Sequence, residues 1–269
     1  MFPAHRAAGL GARGPMNPLI RIFSPAEEFE TAAAHEIARV AGSAIRDRGF
    51  GIIALSGGET PRTVYRRLAG LSSDEQPDWT SVHLLFGDER MVPYDDPQSN
   101  LGMVRQELLS RIAIPAANIH AVPTAVAPAE AAHAYAADLR KLLARTGGRC
   151  DLVLLGLGED GHTASLFPGA EALSISREEA CAVYAPALKS WRVTVTLPLI
   201  NAARRVLFLV AGVRKARVVR QVLRVREPEP SLPATYVRPS EGELFWFLDR
   251  DAASALEPSG RGSPGRPAS

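Results

Sequence analysis

Residues 151–158 read Asp-Leu-Val-Leu-Leu-Gly-Leu-Gly, an apolar run that passes directly into glycines. The same arrangement occurs where residues 51–55 (GIIAL) lead into residues 56–58 (SGG), and where residues 82–86 (VHLLF) lead into Gly87. Short apolar strands that alternate with amphipathic helical patterns are typical of a parallel sheet covered on both faces. The sequence therefore predicts an α/β fold with a doubly wound, mostly parallel sheet and helices on both faces.

The rest of the pattern extends this prediction along the chain. Ser24 is predicted as a helix N-cap with Pro25 at the first helical position, and the apolar residues that follow recur at helical spacing until Gly49. Pro61 is predicted to open the next helix. Further helices are predicted near residues 99–110, 129–145 and 213–225, and further strands at residues 192–197, 206–210 and 244–248.

Composition sets the domain organisation. The chain has 269 residues, of which 46% are hydrophobic and 22% charged, which is typical of a globular protein, and its apolar runs are too short to cross a membrane. We predict one domain at residues 18–256, a flexible extension at 1–17 and a disordered tail at 257–269, with either Met1 or Met16 as the start.

Cys150 and Cys181 match neither a disulfide framework nor a zinc site, so a cytoplasmic protein is expected.

Net charge limits the kind of partner. Lys and Arg number 31 and Asp and Glu 29, so the formal charge is +2. This balance excludes a nucleic-acid binder that acts through bulk basicity, but it allows a small anionic ligand to be held by a few local charges. We therefore expect a small-molecule substrate, with neither nucleic acid nor membrane as a partner.

The loop after residues 51–55 is a candidate phosphate site. Gly57 and Gly58 permit close backbone approach, the hydroxyls of Ser56 and Thr60 can donate, and the following helix presents its positive end. Glu59 must point away from any bound phosphate. An ordinary turn with Thr60 as the helix N-cap is the structural alternative.

Candidate cations follow three other strands. Arg90 can bind phosphate or carboxylate through its planar fork, and Asp88 is predicted to hold Arg90 in position. Arg192 begins a predicted strand, and Lys215 lies at the start of a predicted helix. The helix dipole disfavours a positive charge at that end, and a bound anion would explain why Lys215 is there. The alternatives are a solvated loop tip for Asp88 and Arg90 and a surface lysine for Lys215.

His162 is the candidate general base. It lies in the glycine-rich loop that follows residues 151–155, and Asp160 precedes it by two residues. An imidazole has an ordinary pKa near ~6.5, which suits proton transfer at neutral pH. The loop also matches GxGxxG, but Pro168 excludes the long helix that a dinucleotide site needs. A capping role for His162 is the structural alternative.

Five segments carry a resemblance that spans about residues 18–250. The chain resembles the 6-phosphogluconolactonases in LSGGETPR (55–62), FGDER (86–90) with Ser99 and Asn100, GLGEDGHTASLFP (156–168), RVTVTLP (192–198) with Asn201, and GVRKA (212–216). The resemblance implies a cytosolic enzyme of the oxidative pentose phosphate pathway that hydrolyses 6-phospho-D-glucono-1,5-lactone without a metal or organic cofactor. It also implies the fold of the aminosugar-phosphate isomerases and a catalytic base at His162.

These residues give one hypothesis for the mechanism. His162 removes a proton from the attacking water, Asp160 orients the imidazole or the water, and a cation, with Arg90 as the first candidate, stabilises the oxyanion. The phosphate lies against residues 56–60, and Arg90, Arg192 and Lys215 supply positive charge. The sequence leaves open which cation meets the phosphate and which meets the carbonyl, and whether the protein is a monomer or a homodimer.

Two other functions are alternatives. A glucosamine-6-phosphate deaminase or isomerase has a similar loop, but in such enzymes its sequence is like DGHIAFNEP, where this chain has DGHTASLFP. The acidic residue that they have just before the proline is Phe167 here. They also carry Tyr where this chain has Arg90. A sugar-phosphate-sensing module of a transcription regulator would need a DNA-reading domain of roughly 50 residues ahead of the core, and only about eighteen residues precede it here.

Overall fold

The computed structural model describes residues 18–256. The extension and tail predicted at residues 1–17 and 257–269 lie outside the described residues. Among residues 18–256, none of the helices combines the length and the apolar character that a membrane crossing requires.

A seven-stranded sheet forms the centre of the molecule, and all of its strands run parallel. Its members are β1 (Leu19–Phe23), β2 (Gly51–Leu55), β3 (Val82–Phe86), β5 (Ile119–His120), β6 (Leu152–Leu155), β9 (Arg205–Val210) and β10 (Glu243–Asp249). Their order across the sheet is β1-β10-β9-β6-β2-β3-β5. A second, antiparallel sheet has the order β4-β8-β7 and consists of β4 (Asp88–Arg90), β7 (Ala180–Ala185) and β8 (Ser190–Val195).

Seven α-helices cover the large sheet in the described part of the chain. They are α1 (Ala26–Arg48), α2 (Glu59–Ala69), α3 (Asn100–Glu107), α4 (Pro128–Leu143), α5 (Leu197–Ala202), α6 (Ala216–Arg224) and α7 (Arg250–Ala253). The longest, α1, buries a stripe that includes Phe29, Ala33 and Ile37. It ends at Gly49, whose left-handed backbone (φ 83°) lets its N–H reach the Ile45 carbonyl.

The sheet separates two hydrophobic cores. Alternate residues of β2 enter opposite cores, Ile52 and Ala54 on the side of α4 and α6, Ile53 and Leu55 on the side of α1 and α2. This burial on both faces explains why the strand sequences are almost continuously apolar. The predicted doubly wound α/β fold is confirmed.

The strand order also fixes where a ligand can bind. From β2 the chain moves outward to β3 and β5, and from β6 it moves in the opposite direction to β9 and β10. The neighbours β2 and β6 therefore form a topological switch point, where the loops leaving their carboxyl ends diverge and leave a crevice. Residues 56–60 follow β2 and residues 156–168 follow β6.

Several local predictions were wrong. The strand expected at residues 192–197 is β8, an antiparallel member of the small sheet, and Asp88 to Arg90 pair with it as β4 instead of forming a loop. Helix α2 begins at Glu59 with Gly58 as its N-cap, so neither Pro61 nor Thr60 opens it. At α1 the N-cap is Pro25, one residue later than predicted.

Candidate active site

A cleft of about 370 Å³ opens at the carboxyl ends of β2, β6 and β9. Nine of the ten predicted site residues line it, and the tenth, Asp160, contacts His162 from outside it. The nine are Ser56, Gly57, Gly58, Thr60, Asp88, Arg90, His162, Arg192 and Lys215. Arg214, which the sequence reasoning did not select, lines it as well, although its place beside Lys215 was a signal that could have found it.

The loop after β2 is fixed at its first residue by a buried tyrosine. The Ser56 N–H donates to Tyr65 Oη at 2.9 Å, and the Tyr65 hydroxyl donates back to the Ser56 carbonyl at 2.8 Å. Burial raises the pKa of Tyr65 well above its ordinary value, so the hydroxyl stays protonated as a donor. Gly58 has a φ of 107°, which favours glycine, and caps α2. The helix end and the Ser56 hydroxyl, which has no hydrogen-bond partner among residues 18–256, both lie at the cleft.

His162 and Asp160 form a close pair. Their separation is 2.5 Å between His162 Nδ1 and Asp160 Oδ1, and the same oxygen accepts from the His162 backbone N–H at 3.2 Å. Burial raises the pKa of Asp160, but the charge and hydrogen bonds of His162 outweigh burial and hold that pKa below its ordinary value. An ionised Asp160 can only accept, so the proton of a neutral imidazole lies on Nδ1 and the lone pair on Nε2. Nε2 is thus the nitrogen that can remove a proton.

Glycine makes this pair possible. A Cβ on Gly158 would lie 2.0 Å from His162 Nδ1 and 2.5 Å from Asp160 Oδ1, so no larger residue fits there. The Gly158 N–H donates to the His162 carbonyl at 2.8 Å and closes the loop. No α-helix begins between residues 156 and 170, which agrees with the rejection of a dinucleotide site. Gly158 therefore helps to position His162 beside Asp160.

The cations of the cleft are crowded together. Arg90 on β4 lies directly opposite Arg192 on β8, and like charges in that position destabilise a sheet. Burial lowers the pKa of Arg192, Asp88 opposes that effect, and Arg90 reinforces it. Burial also lowers the pKa of Lys215, against the attraction of Glu159. Within residues 18–256 no carboxylate oxygen lies within 4.0 Å of the charged nitrogens of Arg90 or Lys215. An anion in the cleft would relieve this repulsion.

Asp88 does not hold Arg90, which corrects the sequence prediction. Its Oδ2 lies 3.8 Å from Arg192 Nη1, whereas Arg90 donates to the Gln98 carbonyl. The strand register brings Asp88 to Arg192. Asp88 is paired with Thr194 on β8, and Arg192, two residues away on β8, is therefore the diagonal neighbour of Asp88 on the same face of the sheet.

Glu89, which sequence reasoning left without a role, is almost fully buried. Its carboxylate accepts from the backbone N–H groups of Asn100 and Leu101, both at 2.7 Å, and so fixes the start of α3. Burial raises the pKa of Glu89 despite these bonds. The three consecutive charged residues of this segment therefore face three different environments.

No metal-binding arrangement of three or more His, Cys, Asp or Glu side chains occurs within the described range, residues 18–256. The chemistry that the cleft itself supplies is a histidine with a free nitrogen, paired with a carboxylate, beside a group of cations. Together with the sheet topology, this defines an α/β protein with a cation-lined cleft and a histidine–carboxylate pair at the switch point.

Comparison with known proteins makes the class specific. Residues 24–246 match the family model described as glucosamine-6-phosphate isomerases/6-phosphogluconolactonase, and the chain belongs to this family. A 6-phosphogluconolactonase of Synechocystis is 42% identical over 219 residues, which cover 80% of this chain and 88% of the relative. The human 6-phosphogluconolactonase is 38% identical over 250 residues, covering 90% and 95% of the two chains.

A solved structure agrees with these relatives. The structure of 6-phosphogluconolactonase from Trypanosoma brucei superposes with a TM-score of 0.78 at 30% identity. The match covers 90% of this chain and the whole of that one (100%). The resemblance inferred from the sequence motifs is confirmed.

Proposed function

We propose that the protein hydrolyses 6-phospho-D-glucono-1,5-lactone to 6-phosphogluconate, a step of the oxidative pentose phosphate pathway. Two kinds of observation support this function: the relatives at 42% and 38% identity are 6-phosphogluconolactonases, and the cleft holds a histidine–carboxylate pair together with several cations. The observation that carries the mechanism is the pairing of His162 with Asp160 at 2.5 Å, because it leaves Nε2 free beside the cations.

In the proposed mechanism the phosphate is the handle of the substrate. The positive end of α2, the backbone of Gly57 and Gly58, and the hydroxyls of Ser56 and Thr60 face one side of the cleft. Arg192 and Lys215 supply charge from β8 and from the turn after β9. Holding the substrate in this way converts the attack of water into an effectively intramolecular step.

His162 carries the proton in both halves of the reaction. Nε2 takes a proton from water as the water oxygen bonds to the lactone carbonyl carbon, and the carbonyl oxygen becomes an oxyanion. Arg90 is the proposed stabiliser of that oxyanion, a role worth roughly 3 kcal/mol. When the bond between the carbonyl carbon and the ring oxygen breaks, His162 returns its proton to the ring oxygen. Asp160 keeps the imidazole in the required tautomer and stabilises its charged form.

These groups belong to the chain itself, and we propose that the reaction needs neither a metal ion nor an organic cofactor. A cytoplasmic location is proposed with it, since Cys150 and Cys181 are free thiols in the structure.

A lactone hydrolysis assay, corrected for spontaneous ring opening, tests the proposed function. The purified protein is expected to accelerate the opening of 6-phospho-D-glucono-1,5-lactone and to release no ammonia from glucosamine 6-phosphate. Ammonia release without lactone hydrolysis would contradict the proposal and favour the deaminase reaction. No binding to random-sequence DNA in a gel-shift measurement is expected, because the formal charge is only +2.

A further inference from the structure

Asp88 is almost fully buried at the base of the cleft, and other side chains engage both of its oxygens. Oδ2 accepts from the Ser165 hydroxyl at 2.6 Å, and Oδ1 accepts from Asn100 Nδ2 at 3.1 Å. Arg192 Nη1 lies 3.8 Å from Oδ2. The carboxylate is thus satisfied by the catalytic loop, by the start of α3 and by β8, three segments that are far apart in the sequence.

Ser165 connects Asp88 to the histidine. It follows His162 by three residues and is fully buried, and its backbone N–H donates to Thr194 Oγ1 at 3.2 Å. Between the two residues, Thr163 Oγ1 donates to the Gly156 carbonyl at 2.9 Å. The segment that carries His162 is therefore held on one side by its own strand, β6, and on the other by Asp88.

Asn100 connects Asp88 to the loop after β2. Its Nδ2 donates to the backbone carbonyl of Asp88 at 2.7 Å as well as to the carboxylate. Its carboxamide lies against Gly57, where an added Cβ would be 1.9 Å from Asn100 Oδ1 and 2.7 Å from Nδ2. The Asn100 amide thus lies directly against Gly57, in the space that a side chain at that position would need.

We propose that Asp88 is a positioning residue that links the His162 segment, Arg192 and the loop of residues 56–60 into one rigid arrangement, without contacting the substrate. A bound phosphate would be repelled by a second negative group, which is a further reason to assign this carboxylate to its three internal partners. The inference rests on the proposed function for its kinetic part, because the His162 segment and the loop must serve the same reaction.

Two substitutions separate the charge of Asp88 from its link to the histidine. Asp88→Asn keeps the shape and removes the charge, whereas Ser165→Ala removes one hydrogen bond and keeps the charge. Each is expected to lower kcat about tenfold at a temperature well below the melting transition, because a displacement of the reacting groups by about 1 Å costs up to ~10²-fold. Since both substitutions weaken the same contact between Asp88 and the His162 segment, one by removing the acceptor's charge and the other by removing the donor, the double variant is expected to be no more than about threefold slower than Asp88→Asn.

Thr146→Val is the matched control. Thr146 is also buried and its hydroxyl donates to the Leu143 carbonyl at 3.0 Å, but it lies after α4 and away from the cleft. This variant is expected to lower the melting temperature as Ser165→Ala does and to leave kcat unchanged. The comparison distinguishes positioning from a general loss of stability.

Hydrogen exchange gives a readout that does not depend on activity. In Asp88→Asn, amide exchange is expected to increase both in residues 56–60 and in residues 156–166, and in Ser165→Ala mainly in the second segment. If the parent protein fails to open the lactone, the proposed function is wrong, and the exchange pattern still decides whether Asp88 links the two loops.

Three results would overturn the inference. The first is parental kcat and exchange in both single variants. The second is a fully multiplicative loss in the double variant, which would mean independent roles. The third is the loss of a limb of the pH profile of kcat in Asp88→Asn, while Ser165→Ala keeps the parental kcat, since this would make Asp88 a direct acid or base. If Asp88→Asn does not fold, Ser165→Ala and its exchange pattern decide alone.

Discussion

Charged side chains are arranged differently at the two ends of the parallel strands, named here the amino edge and the carboxyl edge of the seven-stranded sheet. At the amino edge, where the parallel strands begin, arginines are paired with carboxylates: Arg48 with Asp151 at 2.5 Å, Arg204 with Asp151 at 3.4 Å, Arg149 with Glu241 at 3.2 Å, and Arg205 with Glu36 and Glu243. At the carboxyl edge, where the strands end, Arg90 stands opposite Arg192, and Lys215 has no carboxylate within 4.0 Å among the described residues.

The difference separates stability from function. Removing one partner of a buried ion pair destabilises a fold because the other charge is left uncompensated, whereas a charge that lies near like charges raises the free energy of the empty site. The +2 balance of the whole chain hides this contrast. Four arginines of the amino edge are matched by four carboxylates, whereas the cleft at the carboxyl edge is lined by four cations and two carboxylates, Glu59 and Asp88. On the proposed function, the phosphate of the substrate supplies compensating charge to Arg90 and Lys215.

The largest effect that separates the two edges is expected from histidine substitutions. His162→Asn should lower kcat about 10²-fold or more with little change in KM, because a general base contributes about 10²- to 10⁴-fold. His83→Asn is the control, since His83 lies on β3 near the amino edge and contacts His120 Nε2 at 3.1 Å. It should change the melting temperature and leave kcat at the parental value. Near-parental kcat in His162→Asn would contradict the assignment of the base.

A stability loss confined to the amino edge is the next effect. Asp151 is buried and accepts from Arg48 at 2.5 Å and from the Ile52 N–H at 2.9 Å. Asp151→Asn should therefore lower the free energy of unfolding by about 2 kcal/mol, as expected for hydrogen bonds to a charged group. Urea denaturation measures the loss, and KM measured on the folded variant should not change. A raised KM would mean that the two edges are coupled.

A smaller effect is expected for Lys215→Met, and it should change substrate binding instead of stability. Removing this charge should raise KM for the phosphorylated lactone about tenfold, which is the effect of losing ~1.4 kcal/mol of binding. The free energy of unfolding should stay the same or increase slightly, because burial disfavours the charged form of Lys215 in the folded protein. Steady-state kinetics and urea denaturation of the same preparation test both parts, and a stability loss like that of Asp151→Asn would erase the contrast between the edges.

The smallest effect concerns pH. Burial lowers the pKa of Lys215, so the residue is charged below that value and loses its proton at a lower pH than an ordinary lysine. The affinity for 6-phosphogluconate should therefore fall by a few fold as the pH rises through the alkaline range, where the phosphate charge no longer changes, and the fall should begin at a lower pH than an ordinary lysine would give. Lys215→Arg should abolish this decline because arginine keeps its charge. A decline that persists in Lys215→Arg would assign it to another group.

The sequence predicted the α/β fold and most of the cleft residues for a physical reason. Strands β2 and β6 each run directly into a loop that lines the cleft, so burial pattern and chemistry are contiguous in residues 51–60 and 151–168. The parallel topology then places these loops side by side. Six of the ten predicted site residues, including His162 and Ser56, come from these two segments.

The small antiparallel sheet could not be predicted in the same way. Residues 192–195 are as buried as a strand of the large sheet, and burial alone does not encode strand direction or partner. The partner of Asp88 depends on the register of β4 with β8, which places Arg90 opposite Arg192 and brings Asp88 to Arg192. The anchoring by Tyr65 and the burial of Glu89 depend on tertiary packing between different secondary-structure elements, which the apolar pattern of the sequence does not encode.

Calorimetric titration with 6-phosphogluconate tests the assignment of the carboxyl edge most directly. Gluconate serves as the ligand without a phosphate, and one variant is taken from each edge, Lys215→Met and Arg149→Met. The parent and Arg149→Met should bind 6-phosphogluconate equally and gluconate far more weakly, and Lys215→Met should bind 6-phosphogluconate about tenfold more weakly than the parent. Equal affinity of the parent for the two ligands, or parental affinity in Lys215→Met, would contradict the claim that the unpaired charges of this edge form the phosphate site.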